Sequence, residues 1–332
     1  MSDFLDALET PDEELRVSVE GAELHFSHLN KELWPGVTKR GLARYYATVG
    51  DTLLSYLKDR PLSFVRCPEG VDGERFFQKH WDRGRPDFVE TVSVHSDSNG
   101  GPRDFLVCNN LPTLLWLAQM AAVELNPWNS RADDPNGDYA SSLEALEDSD
   151  LNRPDYLVFD LDPHFHGKAS AWRKDEWQKV VEVCLAIKKM LDAIGLKGFI
   201  KSSGKAGAHI FVPMKREYTY DEIRAATRTM GAQVQSEMGG KVTLEASVKK
   251  RPVGVFIDAN QNVRGKTMAA AYSPRASEGA GVSMPLDWDE LSEVNPTQFT
   301  VVTAAGRLSK KGDPWRNINQ SMSRQLLSGV KD

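Results

Sequence analysis

The second half of the chain alternates short apolar runs with amphipathic stretches, and this order constrains the fold more than any other feature. Apolar, β-branched and aromatic runs predict strands at residues 156–161, 199–201, 210–212 and 253–258. Apolar residues at helical spacing, followed in each case by glycine, predict helices over residues 176–194 and 221–238. Strand, helix, hairpin, helix, strand is typical of an α/β fold, of the mixed α+β kind, with one mainly buried central sheet flanked by helices.

A chain of 332 residues is long enough for one large or two ordinary domains. The acidic, turn-rich segment 131–150 predicts a boundary near residue 150. Before it, apolar spacing predicts helices over residues 40–57 and 112–125, and residues 62–66 have the composition of a short strand. We therefore expect an N-terminal α/β subdomain to precede the sheet of the second half.

Several classes of protein are excluded. The most apolar stretch, residues 111–125, contains Gln119 and Glu124 and is shorter than the roughly 20 residues that cross a bilayer. The first fifteen residues are acidic and lack the basic and apolar regions of a secretory signal. Three widely spaced cysteines without a CxxC motif exclude a disulfide framework and predict buried thiols. We expect no membrane partner and a cytoplasmic location.

The net charge of −6, from 41 basic and 47 acidic residues, hides a segregation of charge along the chain. Residues 1–15 carry six acids and no base, and residues 131–150 carry seven acids and one arginine. The remainder has 40 bases against 34 acids, and its basic residues cluster around 58–66, 79–85, 249–251 and 307–316. Such clusters are usually solvated surface, but several together are compatible with a polyanionic partner.

Acidic residues stand at the ends of two predicted buried strands. Asp160 and Asp162 are two residues apart, so on an extended backbone both side chains point to the same face. Pro163 directly follows them and is expected to end the strand. Asp258 closes the last predicted strand. Three hard oxygen ligands at strand ends suit Mg²⁺ or Mn²⁺, as in two-metal nucleotidyl transfer, whereas a lone DxD is as often a turn or a helix cap.

Residues 201–209 (KSSGKAGAH) predict a glycine-bearing loop between two strands. Its backbone N–H groups and lysine can bind phosphate, but a tight hairpin turn explains the same residues, and the P-loop pattern GxxxxGK[ST] is absent from the sequence. The stretch that begins at Asp258 is richer in the donors that a metal-bound triphosphate needs, namely Gln261, Asn262, Arg264, Lys266 and Arg275.

The motifs VFDLDP, SSGKAGAH, FIDANQNVRGKT and YSPR, in this order, resemble the polymerase domain of bacterial ligase D and its stand-alone relatives in non-homologous end joining. That family belongs to the archaeo-eukaryotic primase superfamily. The resemblance runs from LNKELWPGVTK to GDPWRNI. It implies an acidic N-terminal extension over residues 1–20, the DNA-binding part of the polymerase domain over 21–150 and a catalytic primase-like core over 151–320.

The resemblance also implies roles for single residues. Asp160, Asp162 and Asp258 would be the catalytic acids, binding two Mn²⁺ or Mg²⁺ ions. The residues around the nucleoside triphosphate would be Ser203, Lys205, His209, Gln261, Lys266 and Arg275, with Phe76 stacking on the nucleotide base and Asn126 near the sugar. The DNA-binding residues would be Phe77, Arg66 and Arg251, with Lys31 and Lys39 gripping the 5′-phosphate across a gap.

The sequence departs from the family pattern at three places. Lys205 stands one position before the lysine of SGxKGxH, and Ala206 occupies that lysine's position. Asn126, in ELNPW, replaces a histidine found in many members. After YSPR, Ala276 and Ser277 replace a second basic residue. We expect these departures to alter sugar selectivity and to weaken contacts with the triphosphate.

The implied function is DNA-directed nucleotidyl transfer with ribonucleotide preference, in short gap filling or end repair. The implied partners are gapped or broken DNA, nucleoside triphosphates, Ku and a separate DNA ligase, since the sequence has no KxDG-like ligase motif. A nucleoid-associated cytoplasmic location follows. Two alternatives remain: a haloacid-dehalogenase-like phosphatase, in which His164 would occupy the place of the usual Thr or Val, and a non-catalytic nucleic-acid-binding subunit, which would not need all three acids.

Overall fold

The computed structural model describes residues 2–96, 101–134, 136–165, 172–322 and 325–327. Pro135, in the acidic segment predicted to be turn-rich, lies outside the described residues. Among the residues described, no helix has the length and apolar character needed to span a bilayer.

The first half combines a five-stranded antiparallel sheet with helices. Its central strand β5 pairs with β9 on one side and with β6 and β8 on the other, and β7 pairs with β8. Thr38 caps α2 by accepting a hydrogen bond from the backbone N–H of Gly41. In chain order the elements are α1 (Ser2–Ala7), β1 (Leu15–Val19), β2 (Ala22–Phe26), β3 (Glu32–Trp34), β4 (Val37–Thr38), α2 (Lys39–Leu57), β5 (Leu62–Arg66), β6 (Phe76–Gln78), β7 (Glu90–Ser96), β8 (Gly101–Val107), α3 (Leu111–Gln119), β9 (Ala122–Pro127) and α4 (Leu143–Asp148).

The second half is built on a six-stranded sheet in the order β13, β14, β10, β12, β11, β15. All its neighbouring strands are antiparallel except the pair β13 and β14. Helices α5 and α6 contact each other and β10, so they cover the same face of this sheet. The elements are β10 (Tyr156–His164), α5 (Lys174–Ala193), β11 (Phe199–Ser202), β12 (Ala208–Pro213), α6 (Tyr220–Met238), β13 (Val242–Thr243), β14 (Gly254–Ile257), β15 (Pro285–Leu286), α7 (Ala304–Lys311) and α8 (Ile318–Met322).

The predicted order of strand, helix, hairpin, helix and strand is confirmed by β10, α5, β11 with β12, α6 and β14. Gly195 and Gly239, the first residues after the helical spacing ends, have φ angles of 75° and 61°. These angles lie in the left-handed region, where glycine is not penalised by a Cβ atom. The fold class predicted from the sequence is therefore the observed one.

The helix predicted over residues 112–125 is wrong in its second half. Helix α3 ends at Gln119, Ala121 turns the chain with a φ of 54°, and the next six residues form β9. Every residue of β9 is buried, so its polar residues Glu124 and Asn126 do not mark a solvent-facing side of the strand. A short apolar run that is buried on both faces has the same composition in a strand as in a helix.

Pro163 does not end its strand as predicted, because β10 continues to His164. Beyond Leu161 the strand pairs only with β14, where Pro163 lies opposite Val255. The backbone N–H of Asp258 donates to the carbonyl oxygen of Asp160, so these two residues form a hydrogen-bonded pair. Such pairs alternate with non-hydrogen-bonded pairs along an antiparallel ladder, which makes Pro163 and Val255 a non-hydrogen-bonded pair. Pro163 therefore occupies a position that does not need to donate toward β14.

The hydrophobic core is continuous through both halves. One cluster of buried side chains runs from Phe26 and Tyr46 in the first half to Ile200 and Trp315 in the second. The three cysteines are buried and unpaired with one another, as predicted. The division near residue 150 stays a prediction.

A single stretch of chain, residues 267–276, is hydrogen-bonded to the first half along its length. The backbone N–H of Ala270 donates to the carbonyl oxygen of Leu125 at 2.9 Å. The Tyr45 hydroxyl donates to the carbonyl of Tyr272 at 2.7 Å, and the Trp34 indole N–H donates to the carbonyl of Arg275 at 3.1 Å. This joining segment forms part of the cleft described next.

Candidate active site

A cleft opens between the two sheets, where β9 faces β10 and β12. Side chains from both halves line it, together with the loop after β11 and the joining segment. The predicted site residues found in its lining are Phe77, Asn126, Asp160, Asp162, Ser203, Lys205, His209, Gln261 and Arg275. Residues that are far apart in the sequence are thus brought to one place.

Four ionisable residues lie side by side across the second sheet. Two of them, Asp160 and His209, line the cleft, whereas Lys201 and Asp258 lie outside its lining. Lys201 of β11 is paired with His209 of β12, and His209 is paired with Asp160 of β10. Asp258, just after β14, donates its backbone N–H to the carbonyl oxygen of Asp160 at 2.9 Å. Residues directly opposite each other in antiparallel strands share a face of the sheet, so one row contains a lysine, a histidine and two acids.

The acids of the cleft are crowded and shielded from water. Burial raises the pKa of Asp160 to about 6, although Lys201, Arg275 and a hydrogen bond from Gln261 oppose the shift. Burial and the charge of Asp160 together raise the pKa of Asp162 to about 7. The pKa of Asp258 is raised by burial and by Asp160. Each carboxylate therefore makes ionisation of its neighbour more costly.

Crowded carboxylates of this kind fit a divalent cation. Hard oxygen ligands are those that Mg²⁺ and Mn²⁺ prefer, and a cation would relieve the repulsion that raises the pKa values of Asp160 and Asp162. Within the part of the chain that the structure describes, no three or more His, Cys, Asp or Glu side chains are already grouped around one ion.

His209 is held between Lys201 and Asp160. Its Nδ1 lies 2.7 Å from Lys201 Nζ, and its Nε2 lies 3.3 Å from Asp160 Oδ1. Burial lowers the pKa of His209 well below its usual range, and the charges of Lys201 and Arg275 lower it further. Burial also lowers the pKa of Lys201, whereas the carboxylates of Asp160 and Glu124 favour its charged form.

The loop between β11 and β12 is both a tight turn and a wall of the cleft. Ser203 Oγ accepts hydrogen bonds from the backbone N–H groups of Lys205 and Gly207, at 3.2 and 3.1 Å. Gly204 has a φ of 74°. The side chains of Ser203 and Lys205 line the cleft, so the two sequence interpretations of this loop are compatible.

Arg275 is fixed from both halves of the protein. Its Nε lies 3.0 Å from Glu124 Oε2, and its NH1 donates to the carbonyl oxygen of Ser203. Glu124 also accepts from the backbone N–H of Ala276 at 3.1 Å. Charges of Arg275 and Lys205 hold the pKa of Glu124 below its usual value despite burial. Arg275 is therefore a charged donor in a fixed position.

The remaining predicted nucleotide residues divide into two groups. Gln261 and Asn126 line the cleft, and Asn126 is buried in β9. Phe76 and Phe77 are 43% and 59% exposed, which is unusual for phenylalanine, and Phe77 lies in the cleft lining while Phe76 does not. Lys266 is exposed and lies outside the lining, near enough to Asp258 to lower the pKa of that carboxyl.

Comparison with known proteins identifies the family. The model of the LigD primase-polymerase domain matches residues 38–315. The chain belongs to this family. The match decides against the haloacid-dehalogenase-like alternative.

Two curated relatives are full-length LigD proteins. The chain is 28% identical over 312 residues to the bifunctional non-homologous end joining protein LigD of Bacillus subtilis, covering 93% of this chain and 46% of the relative. It is 30% identical over 320 residues to the multifunctional non-homologous end joining protein LigD of Pseudomonas aeruginosa, covering 93% of this chain and 35% of the relative. The chain thus spans less than half the length of these relatives.

A solved structure shares the LigD polymerase fold. It is the polymerase domain of Mycobacterium tuberculosis ligase D in complex with DNA, with a TM-score of 0.78 and 25% sequence identity. The alignment covers 90% of this chain and 98% of that domain. The predicted mixed α/β class and the predicted family are both confirmed.

Outside the cleft, the structure brings Lys31, Lys39 and Arg66 together. The charges of Lys31 and Arg66, together with burial, lower the pKa of Lys39. Lys39 is buried and donates from Nζ to the carbonyl oxygen of Ser27 at 3.0 Å, and Lys31 pairs with Glu69 at 2.6 Å. These three residues form a basic patch in which cations repel one another.

Arg251 is placed beside the acids. Its guanidinium lies 3.5 Å from the centroid of the Phe256 ring, and it donates to the carbonyl oxygens of Glu245 and Ala246. Its charge partly opposes the rise in the pKa values of Asp162 and Asp258 that burial causes.

Two residues of the site were missed by sequence analysis. Glu124 was assigned to a helix, although in β9 it shares a face with Asn126 two residues later. Lys201 was predicted as the last residue of a strand, and it does lie in β11, but its complete burial and its contact with His209 were not predicted. A lysine that continues an apolar strand, in FIKS, was the available signal.

Proposed function

We propose that this protein is a metal-dependent, DNA-directed nucleotidyltransferase that fills short gaps or repairs ends in non-homologous end joining. The observation that carries the proposal is the row of Lys201, His209, Asp160 and Asp258 across one sheet. Asp160 and His209 of this row line a cleft with Phe77 at its wall. The family and the names of its end-joining relatives, one solved with DNA, support the same function.

Asp160 and Asp162, with Asp258 beside them, would hold two Mn²⁺ or Mg²⁺ ions. Bound there, such ions would increase the acidity of the primer 3′-hydroxyl and neutralise charge on the transferred phosphate. Phosphate oxygens of the substrate and water would supply further ligands, as is usual for Mg²⁺.

The cleft also supplies what an incoming triphosphate needs. Arg275 and Lys205 are cations in its lining, and His209 presents Nε2 on the same side as Asp160. In the proposed reaction the primer 3′-oxygen forms a bond to the α-phosphorus, and the bond to the pyrophosphate oxygen breaks. Arg275, already oriented by Glu124, would bind the negative charge of the triphosphate and of the departing pyrophosphate.

Sugar selection is assigned to Asn126. Its side chain lines the cleft from β9 and offers both a donor and an acceptor to a ribose 2′-hydroxyl. We infer a preference for ribonucleotides, weaker than with the imidazole found in other members, and sharpened by Asn126→His. A site that bonds the 2′-hydroxyl discriminates against deoxyribose because its polar group is then left unpaired.

The proposed partners are broken or gapped DNA, Ku and a separate DNA ligase, in the nucleoid region of the cytoplasm. The relatives that match the chain are named as end-joining proteins.

The test is extension of a primer across a templated one-nucleotide gap with Mn²⁺, using ATP or dATP opposite thymine. We expect ribonucleotide insertion by the wild type and its loss in Asp160→Asn and Asp258→Asn, with DNA binding retained. DNA binding without extension by the wild type would favour the non-catalytic alternative. Extension by Asp160→Asn at the wild-type rate would contradict the assignment of the acids.

A further inference from the structure

Lys201 is a fully buried lysine in the central sheet, and nothing in the proposed reaction has yet used it. Its Nζ lies 2.7 Å from His209 Nδ1 and 3.0 Å from the carbonyl oxygen of Ala269, and it also donates to Ser283 Oγ. A buried lysine without partners is strongly disfavoured, so these three contacts account for its presence.

The three contacts define the direction of each hydrogen bond. The carbonyl oxygen of Ala269 can only accept. Ser283 Oγ lies 3.1 Å from the carbonyl oxygen of Ser202, to which it donates, and so it accepts from Lys201. An ammonium has three N–H groups, and the third points to His209 Nδ1.

If His209 Nδ1 donated to Lys201 instead, the lone pair of His209 Nε2 would face the lone pairs of Asp160 Oδ1. A neutral amine would have to accept from a hydrogen on Nδ1 of His209. Nε2 would then carry a lone pair facing Asp160 Oδ1 at 3.3 Å. With Lys201 as the donor, Nδ1 accepts and the single ring hydrogen lies on Nε2, directed toward the carboxylate and the cleft.

We propose that Lys201 is a positioning residue that donates to Nδ1 of His209 and so fixes the ring with its Nε2–H turned into the cleft. His209 then presents a hydrogen rather than a lone pair to the cleft, in one fixed ring orientation. Lys201 reaches no substrate itself, and it acts only through the imidazole.

The benefit of this role for catalysis rests on the proposed function, in which His209 contacts the triphosphate. A histidine that contacts a triphosphate must present a hydrogen, because the phosphate oxygens only accept. The other ring nitrogen determines which tautomer is present, and here that nitrogen is buried against Lys201. Lys201 also ties Ala269, in the cleft lining, to the sheet, so a purely structural brace is the alternative to exclude.

The decisive measurement is the ¹⁵N spectrum of the histidine side chains in the full-length protein, without nucleotide. The chain has seven histidines, and the His209 signals are those missing from His209→Gln. We expect a hydrogen on Nε2 and a bare Nδ1 whose shift is that of a hydrogen-bonded acceptor. In Lys201→Met, a chain of similar length without a donor, the Nδ1 signal should move to the range of an unbonded nitrogen.

The matched control is Lys39→Met, which removes another buried lysine that does not contact His209 and should leave the Nδ1 signal unchanged. In gap filling, Lys201→Met should raise KM for ATP several-fold more than it lowers kcat. A hydrogen on Nδ1 in the wild type, or the same Nδ1 shift in Lys201→Met, would overturn the proposal. Wild-type spectra alone decide it if Lys201→Met does not fold.

The spectra do not depend on catalysis. If the wild type inserts no nucleotide but shows the expected Nδ1 signals, the proposed function fails and the assignment of Lys201 stands. If the wild type inserts nucleotides but Nδ1 carries a hydrogen, or its shift is unchanged in Lys201→Met, the proposed function stands and the assignment of Lys201 fails.

Discussion

At the scale of single residues, the cleft buries acidic side chains and so removes the water that would stabilise their negative charge. Asp162 shows this most strongly, since burial and Asp160 raise its pKa from 3.8 to about 7. Between these two values the folded protein binds more protons than the unfolded chain, so the free energy of unfolding falls as pH rises. A bound cation would reverse that loss.

We therefore predict that Asp162→Asn stabilises the metal-free protein at pH 8, by on the order of 1–2 kcal/mol, and has less effect at pH 5. Thermal unfolding at the two pH values measures the difference. Added Mn²⁺ should raise the Tm of the wild type more than that of the variant, because only the wild type retains the full set of ligands. A gain in Tm that is equal at pH 5 and pH 8 would contradict this account of the charge.

Phe77 is an exposed aromatic residue that the packing of the core does not explain. At 59% exposure it contributes little to the core, so Phe77→Ala should leave the Tm nearly unchanged. If the ring stacks on DNA, the same change should weaken binding to gapped DNA by about 1–3 kcal/mol. Fluorescence anisotropy measures this, with Phe77→Tyr as the control that keeps a stacking face. Equal affinity of the alanine variant would show that the ring is not a DNA contact.

At the scale of elements, the hairpin of β11 and β12 depends on a close approach to β10. A Cβ atom on Gly207 would lie 2.3 Å from the carbonyl oxygen of Leu161 and 3.1 Å from Asp162 Oδ1. The strand that carries the acids would have to move to make room.

Gly207→Ala should accordingly destabilise the protein by about 1–3 kcal/mol and displace the acids enough to abolish gap filling. Urea unfolding and the extension assay measure the two effects. Gly240→Ala is the matched control, since nothing lies within 4 Å of its Cβ position and a small change is expected. A Gly207→Ala protein as stable as the control would mean that the strands separate freely.

Element prediction from the sequence succeeded where the pattern was periodic and failed where it was not. Helices α5 and α6 have one buried face, so their spacing predicted them within a few residues. Strand β9 is buried throughout and continues the apolar run of α3, so it was assigned to a helix and Glu124 was overlooked. The spacing of apolar residues does not reveal whether an apolar run is a helix or a strand when both of its faces are buried.

At the scale of the whole molecule, charge is sorted so that an acidic protein can still present a basic patch. Lys31, Lys39 and Arg66 lie close enough for their charges to lower the pKa of Lys39. A phosphate placed among them would relieve that repulsion, which is the basis of the next prediction.

A 5′-phosphate on the downstream strand should strengthen binding to gapped DNA, and Lys31→Ala with Lys39→Met should remove the gain. Each charge-assisted contact should contribute about 1.5–3 kcal/mol before screening. Anisotropy at low and moderate salt, with phosphorylated and unphosphorylated gaps, measures it. Lys188→Ala, an exposed lysine paired with Asp192 on α5, is the control. Equal affinity of the wild type for both gaps would refute the 5′-phosphate assignment.

The acids, the glycine loop and the family could be recognised from sequence because their motifs are local. The row of Lys201, His209, Asp160 and Asp258 could not, because it depends on the register of four strands. A one-residue shift of β11 would turn Lys201 to the opposite face of the sheet. Sequence analysis therefore found the residues assigned to the proposed reaction but not Lys201, the residue proposed to orient His209.

The joining segment has a mechanical consequence. Because Ala270, Tyr272 and Arg275 are all bonded to the first half, the two walls of the cleft share one backbone. Moving the two walls apart would break these hydrogen bonds, so the folded chain fixes the width of the cleft. In the proposed function, a cleft of fixed width would act as a gauge for each base pair, and the DNA rather than the protein would change shape.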